Sequence, residues 1–154
     1  MKKLYVLILI LIVITVVFYF FNFWGVEYIS EENIKLTEVE QSEEGNFAIY
    51  VSNQSFDIAT VDVKIMIDDK IYISGDFEVR DQHEYVSYRF ELVPGSHKIK
   101  VESEAGEAMY EGEFEIVDSA RAVVEFWYYP ETHSNPTPRK FNVSFGPDEL
   151  LLID

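Results

Sequence analysis

From Leu4 to Trp24 the chain is apolar and uncharged; beyond Glu27 it changes to short stretches in which apolar and polar residues alternate. The first segment, 21 residues long, spans roughly 32 Å as a helix at about 1.5 Å per residue, enough for a hydrocarbon core of about 30 Å. Its β-branched content (Ile8, Ile10, Ile12, Val13, Ile14, Val16, Val17) disfavours a helix in water. In lipid, however, a lone segment satisfies its own backbone only as a helix.

The clearest alternation beyond it is Val61-Asp62-Val63-Lys64-Ile65-Met66-Ile67-Asp68, whose odd positions are apolar and β-branched, so one face of a strand is buried. Asp68-Asp69-Lys70 turns the chain into Ile71-Tyr72-Ile73-Ser74, which Gly75-Asp76-Phe77 continues or bulges. The same reading places strands near 34–41 and over 47–51, 86–92, 97–101, 110–116, 122–129 and 141–145. Ser42-Glu43-Glu44-Gly45-Asn46 reads as a hairpin turn between the first two, because Gly and Asn tolerate positive φ. Pro94-Gly95, Ala105-Gly106 and Pro130 punctuate the rest.

About eight strands of this length, with no helical period after the first segment, predict an all-β immunoglobulin-like antiparallel β-sandwich preceded by one N-terminal transmembrane helix. The divisions are 1–25, a cytoplasmic stub and transmembrane signal anchor; 26–33, an acidic juxtamembrane linker; and 34–154, a β-sandwich ectodomain. The run Leu92-Val93-Pro94-Gly95-Ser96-His97-Lys98-Ile99-Lys100-Val101 resembles a corner found in immunoglobulin-like sandwiches, PEGA and carboxypeptidase-regulatory-like domains among them. In those domains it forms a turn and the strand that follows. The resemblance implies an architecture and nothing about activity.

Lys2 and Lys3 precede the apolar run, and Glu27, Glu31 and Glu32 follow it. Basic residues stay inside, which makes this a single-pass cell-membrane protein with a cytoplasmic N-terminus and an extracytoplasmic C-terminal domain. Trp24 and Tyr28 suit the outer interface and Tyr5 the inner one. A cleaved signal would carry an apolar stretch of about 7–15 residues and then small residues, whereas this run ends in Phe18-Tyr19-Phe20-Phe21-Asn22-Phe23-Trp24. With no Gly or Ala along it, the helix meets lipid rather than another helix.

All 28 acidic residues but only 10 of the 12 basic ones lie beyond the anchor, which gives the ectodomain a net charge of −18. That field repels nucleic acid and anionic lipid, and solubility explains it without a dedicated cationic partner. Cysteine is absent, so no disulfide or thiol chemistry is available. His83, His97 and His133 sit apart without ligand spacing, and Asp68-Asp69 is explained by a hairpin turn, so no metal is expected. His97 reads as structural, its ring bonded to nearby backbone. No nucleophile motif or phosphate loop occurs, and neither enzymatic activity nor a cofactor is expected.

In Ala122-Val123-Val124-Glu125-Phe126-Trp127-Tyr128-Tyr129, a solvent-facing Glu125 turns Trp127 and Tyr129 outward and Phe126 inward. These two rings are the candidate binding residues, an exposed aromatic patch for a partner or a glycan. The competing expectation is that the C-terminal segment, with Phe141, Val143, Phe145 and Leu150-Leu151-Leu152-Ile153, folds back over them. The functional expectation is a membrane-anchored extracytoplasmic binding or protein-interaction module, with lipid contacted through the N-terminal helix and a protein partner of unstated identity. The alternative is an accessory or structural subunit of a membrane protein complex.

Overall fold

The computed structural model of the chain describes residues 34–35, 38–55, 57–79 and 84–148. The predicted anchor and linker, His83 and the run 150–153 lie outside them. Among the described residues, no helix is long and apolar enough to cross a membrane.

Strand β1 (Ile34–Lys35) is followed by β2 (Phe47–Asn53), β3 (Thr60–Ile67), β4 (Lys70–Glu78), β5 (Val86–Phe90), β6 (Gly95–Ser103), β7 (Ala108–Ile116), β8 (Ala120–Tyr129) and β9 (Thr137–Gly146). They form two sheets, β1-β4-β3-β6-β7 and β5-β2-β8-β9, in an all-β, sandwich-like arrangement. The expected alternation supplies the interior. Val61, Val63, Ile65 and Ile67 of β3 are buried, and Ala120, Ala122, Val124 and Phe126 of β8 are buried too. Each large aliphatic side chain removed from water here contributes about 1.5–3 kcal/mol. Phe47 stacks on Phe114, and Phe114 stacks in turn on Phe145, joining aromatic residues of both sheets.

Two expectations of pairing are corrected. Ser42 to Asn46 does not fold β1 onto β2: β1 pairs with β4 in one sheet, and β2 lies in the other between β5 and β8. Nor is the fold wholly antiparallel, because β2 and β8 run parallel from Phe47↔Ala120 to Asn53↔Phe126. A parallel pair cannot be closed by a hairpin, and the five intervening strands supply the crossover. Alternation reports which face a residue occupies and is blind to which strand lies alongside.

Local polar groups hold the connections. Asp68 and Asp69 have φ of 49° and 65°, the two left-handed residues that a type I′ hairpin requires. Asn46 acts as a strand residue turned sideways: its Nδ2 donates to the Leu92 carbonyl at 2.8 Å, and its Oδ1 accepts from the Leu92 N–H at 2.9 Å. Its backbone carbonyl accepts from Ala120 N–H, so one residue joins the entries to β2, β6 and β8. At the other end, Asn53 donates to the Ile58 and Phe77 carbonyls, and Ser55 Oγ donates to the Tyr128 carbonyl. These bonds satisfy a buried polar crossover between the sheets.

Candidate functional site

The outer face of the four-stranded sheet carries the sequence-predicted aromatic pair. Along β8 the buried residues Ala122, Val124 and Phe126 alternate with Val123, Glu125 and Trp127, and Tyr129 follows two positions on. Trp127 and Tyr129 are half-buried, their ring centroids 6.0 Å apart and their planes at 59°. The expected cover by Phe141, Val143 and Phe145 takes another form. Those residues belong to β9, which lies beside β8 in the same sheet, and all three pack on or in the core. On the outer face β9 presents Lys140 opposite Trp127, Asn142 opposite Glu125 and Ser144 opposite Val123.

Glu125 organises this surface. Its Oε1 accepts from the Tyr85 hydroxyl at 2.8 Å, while its Oε2 accepts from Asn142 Nδ2 at 3.0 Å and from Trp127 Nε1 at 3.3 Å. Burial, the hydrogen bond to Glu125 and the charge of that carboxylate push the Tyr85 phenol up to about 12, so it stays a donor throughout the physiological range. Beside Glu125, at its register partner on β2, Gln54 Nε2 donates to Ser52 Oγ, and Ser52 Oγ donates to the Glu84 carbonyl. His133, in the turn between β8 and β9, stacks on Tyr129 with centroids 4.8 Å apart. One face of Tyr129 is thereby occupied by the protein itself.

Of this surface the sequence singles out Trp127 and Tyr129 as candidates. It also turns Glu125 outward, and the position of Glu125 two residues before Trp127 is the signal for a shared site. Tyr85, just before β5, Asn142 on β9 and His133 in a turn meet through pairings that periodicity does not encode.

Other polar clusters are explained by the fold. His97 is buried and stacks on Phe114. Its Nδ1 lies 2.6 Å from Asp68 Oδ2 and its Nε2 lies 2.7 Å from the Val93 carbonyl oxygen. Asp62 accepts from Ser103 Oγ and the N–H groups of Glu104 and Ala105, bracing the turn between β6 and β7. A depression of about 430 Å³ on the outer face of the five-stranded sheet is lined by Lys98, Lys100, Glu111 and Glu113 among others. There Lys98 stands opposite Glu113 and Lys100 opposite Glu111, a solvated ladder of opposite charges. Among the described residues, no three His, Asp or Glu converge in a way that could hold a metal ion.

No known protein-family model matches the chain, and no curated protein sequence matches it.

Proposed function

We propose that this chain is a non-enzymatic binding module. It is an immunoglobulin-like sandwich of the PEGA or carboxypeptidase-regulatory-like kind, held on the extracytoplasmic side of the cell membrane by an N-terminal signal anchor. Its ligand surface is the outer face of the four-stranded sheet at Trp127 and Tyr129. The observation that carries this reading is the shared carboxylate: Glu125 takes hydrogen bonds from both Tyr85 and Trp127 on a face where those rings are only half-buried. A ring filling the interior is oriented by its neighbours. A surface ring held by a polar group has lost its rotamer freedom before any ligand arrives, so less entropy is forfeited on binding.

The rest of the chain fits this role. The uncharged run with Lys2 and Lys3 before it supports tethering with the domain outside. The −18 charge beyond the anchor disfavours nucleic acid as a partner. The test is retrieval of the native partner from membranes by the full-length protein and by its Trp127→Ala/Tyr129→Ala form. The expected result is loss of the partner with the domain still folded. A partner set that is unchanged, or a stability loss of several kcal/mol showing that the rings are core, refutes the proposal.

A further inference from the structure

We infer that the ligand of this surface is a neutral glycan, with one sugar ring lying on Trp127 and its hydroxyl groups meeting Glu125 and Asn142. The inference rests on the outer face being the binding surface and names the chemistry that face recognises.

The first argument is extent. An aromatic side chain buries about 150–250 Å² at most, so two half-buried rings together present no more than about 150–250 Å². A protein partner of ordinary size covers about 800 Å² on each side. The second is the interleaving of apolar and polar groups. Trp127 is flanked on its own strand by Glu125 and across the sheet by Lys140, with Asn142 opposite Glu125. A pyranose ring has a face of C–H groups and a rim of hydroxyls, and an aromatic face bounded by a carboxylate and an amide complements both.

The third argument is the remaining hydrogen-bond capacity. A carboxylate has about four acceptor positions. Tyr85 takes one on Oε1, and Trp127 and Asn142 take two on Oε2, so among the described residues one position on Oε1 is left for a hydroxyl donor. Asn142 is exposed, and its amide carries a carbonyl oxygen and a second N–H besides the bond to Glu125. The fourth argument is charge: a domain of net −18 repels uronate- or phosphate-bearing polymers, so the glycan is uncharged. Since His133 occupies one face of Tyr129, Trp127 is the stacking platform and Tyr129 its buttress.

The test uses full-length protein in detergent micelles carrying Trp24→Phe, which leaves Trp127 as the remaining tryptophan. It is titrated with cellohexaose, chitohexaose, an oligogalacturonate and hexalysine while indole emission is followed. A saturable emission shift with one of the two neutral hexasaccharides is expected, with Kd at or below about 1 mM. Isothermal titration of the folded Trp127→Ala protein is expected to show affinity weakened by about tenfold or more. Glu125→Gln, which disturbs the orientation of both rings, is expected to weaken binding several-fold, and oligogalacturonate to give no saturable change. Absence of saturable binding of both neutral sugars, or equal binding by Trp127→Ala, overturns the inference. If hexalysine binds in their place and Trp127→Ala abolishes that binding, or retrieval from membranes remains Trp127-dependent while the sugars fail, the surface stands and the glycan assignment falls. If Trp127-dependent retrieval fails as well, both fall.

Discussion

Raising the pH from 6 to 9 should destabilise this domain through one residue, His97. Both ring nitrogens face acceptors, the Asp68 carboxylate at 2.6 Å and the Val93 carbonyl at 2.7 Å, so the ring is complete only with a proton on each. Burial acts to lower the His97 pKa, but the hydrogen bond to Asp68, the Val93 carbonyl and the Asp68 charge outweigh it and hold the pKa above its ordinary value. Asp68 is shifted the other way. Burial would raise it, yet the Lys98 N–H, the His97 hydrogen bond and charge, and the Lys70 charge lower it. A charge-assisted hydrogen bond contributes about 1.5–3 kcal/mol net. Because the Asp68 side chain is 49% exposed, screening brings the pair to about 1 kcal/mol.

The raised His97 pKa makes this stabilisation fully present below the unfolded value of about 6.5 and lost as pH rises through the folded value. The lowered Asp68 pKa makes its share present above about 3.9 and lost as pH falls through the folded value. The assay is thermal unfolding of the full chain in detergent at pH 6 and 9, for wild type, His97→Gln, Asp68→Asn and the double variant. Asn tolerates the left-handed conformation at position 68, so the turn survives the substitution. Wild type should lose about 4 °C of midpoint across that range. The coupling energy of the cycle should be about 1 kcal/mol at pH 6 and shrink by pH 9. A wild-type midpoint that is flat with pH, or a pH dependence that survives in Asp68→Asn, refutes the argument.

Two further outcomes follow from the turn between β6 and β7. Asp62→Ala removes three hydrogen bonds at 2.8–2.9 Å and should cost about 2–3 kcal/mol in chemical denaturation. Burial would raise the Asp62 pKa, but the Glu104 N–H, the Ser103 hydroxyl and the Ala105 N–H together lower it. The wild-type advantage over Asp62→Ala should therefore be full above about pH 4 and decline as pH falls further; an advantage unchanged at pH 2 would contradict this. Gly106→Ala places a Cβ 2.6 Å from Ser103 Oγ and 2.7 Å from Phe126 Cε2, and should destabilise by about 1–3 kcal/mol in the same assay. Unchanged stability would show that the turn can relax away from the interior.

How far this fold could be read from sequence is clear from β3 and β8. Val61, Val63, Ile65 and Ile67 announce a buried face by alternation alone, and Asp68-Asp69 announces its turn. With a charged Glu125 facing solvent, the same rule buries Phe126. What alternation could not supply was partnership. The parallel neighbour of β2 is 73 positions away at Phe47↔Ala120, and no local signal encodes that separation. The candidate site shows the same division: Trp127 was visible, while its partner Tyr85 meets it only through Glu125, 40 positions along the chain from Tyr85. The corner at Leu92 to Val101 behaved as its residues suggest, with Gly95 at a φ of 137° opening β6 and the His97 ring bonded to backbone. Its hydrogen bond to Asp68 has no signal in the sequence, where a turn is enough to explain Asp68.

The most direct test of the binding surface is photo-crosslinking in native membranes, with a photoreactive residue placed at Ser144, opposite Val123 on the same face as Trp127, or, as a control, at Glu113 on the outer face of the other sheet. Both positions are exposed. The expected result is adducts from position 144 that are lost when Trp127→Ala is added, and none above background from position 113. Adducts that form equally from both positions, or that persist from position 144 without Trp127, would contradict the proposed binding surface.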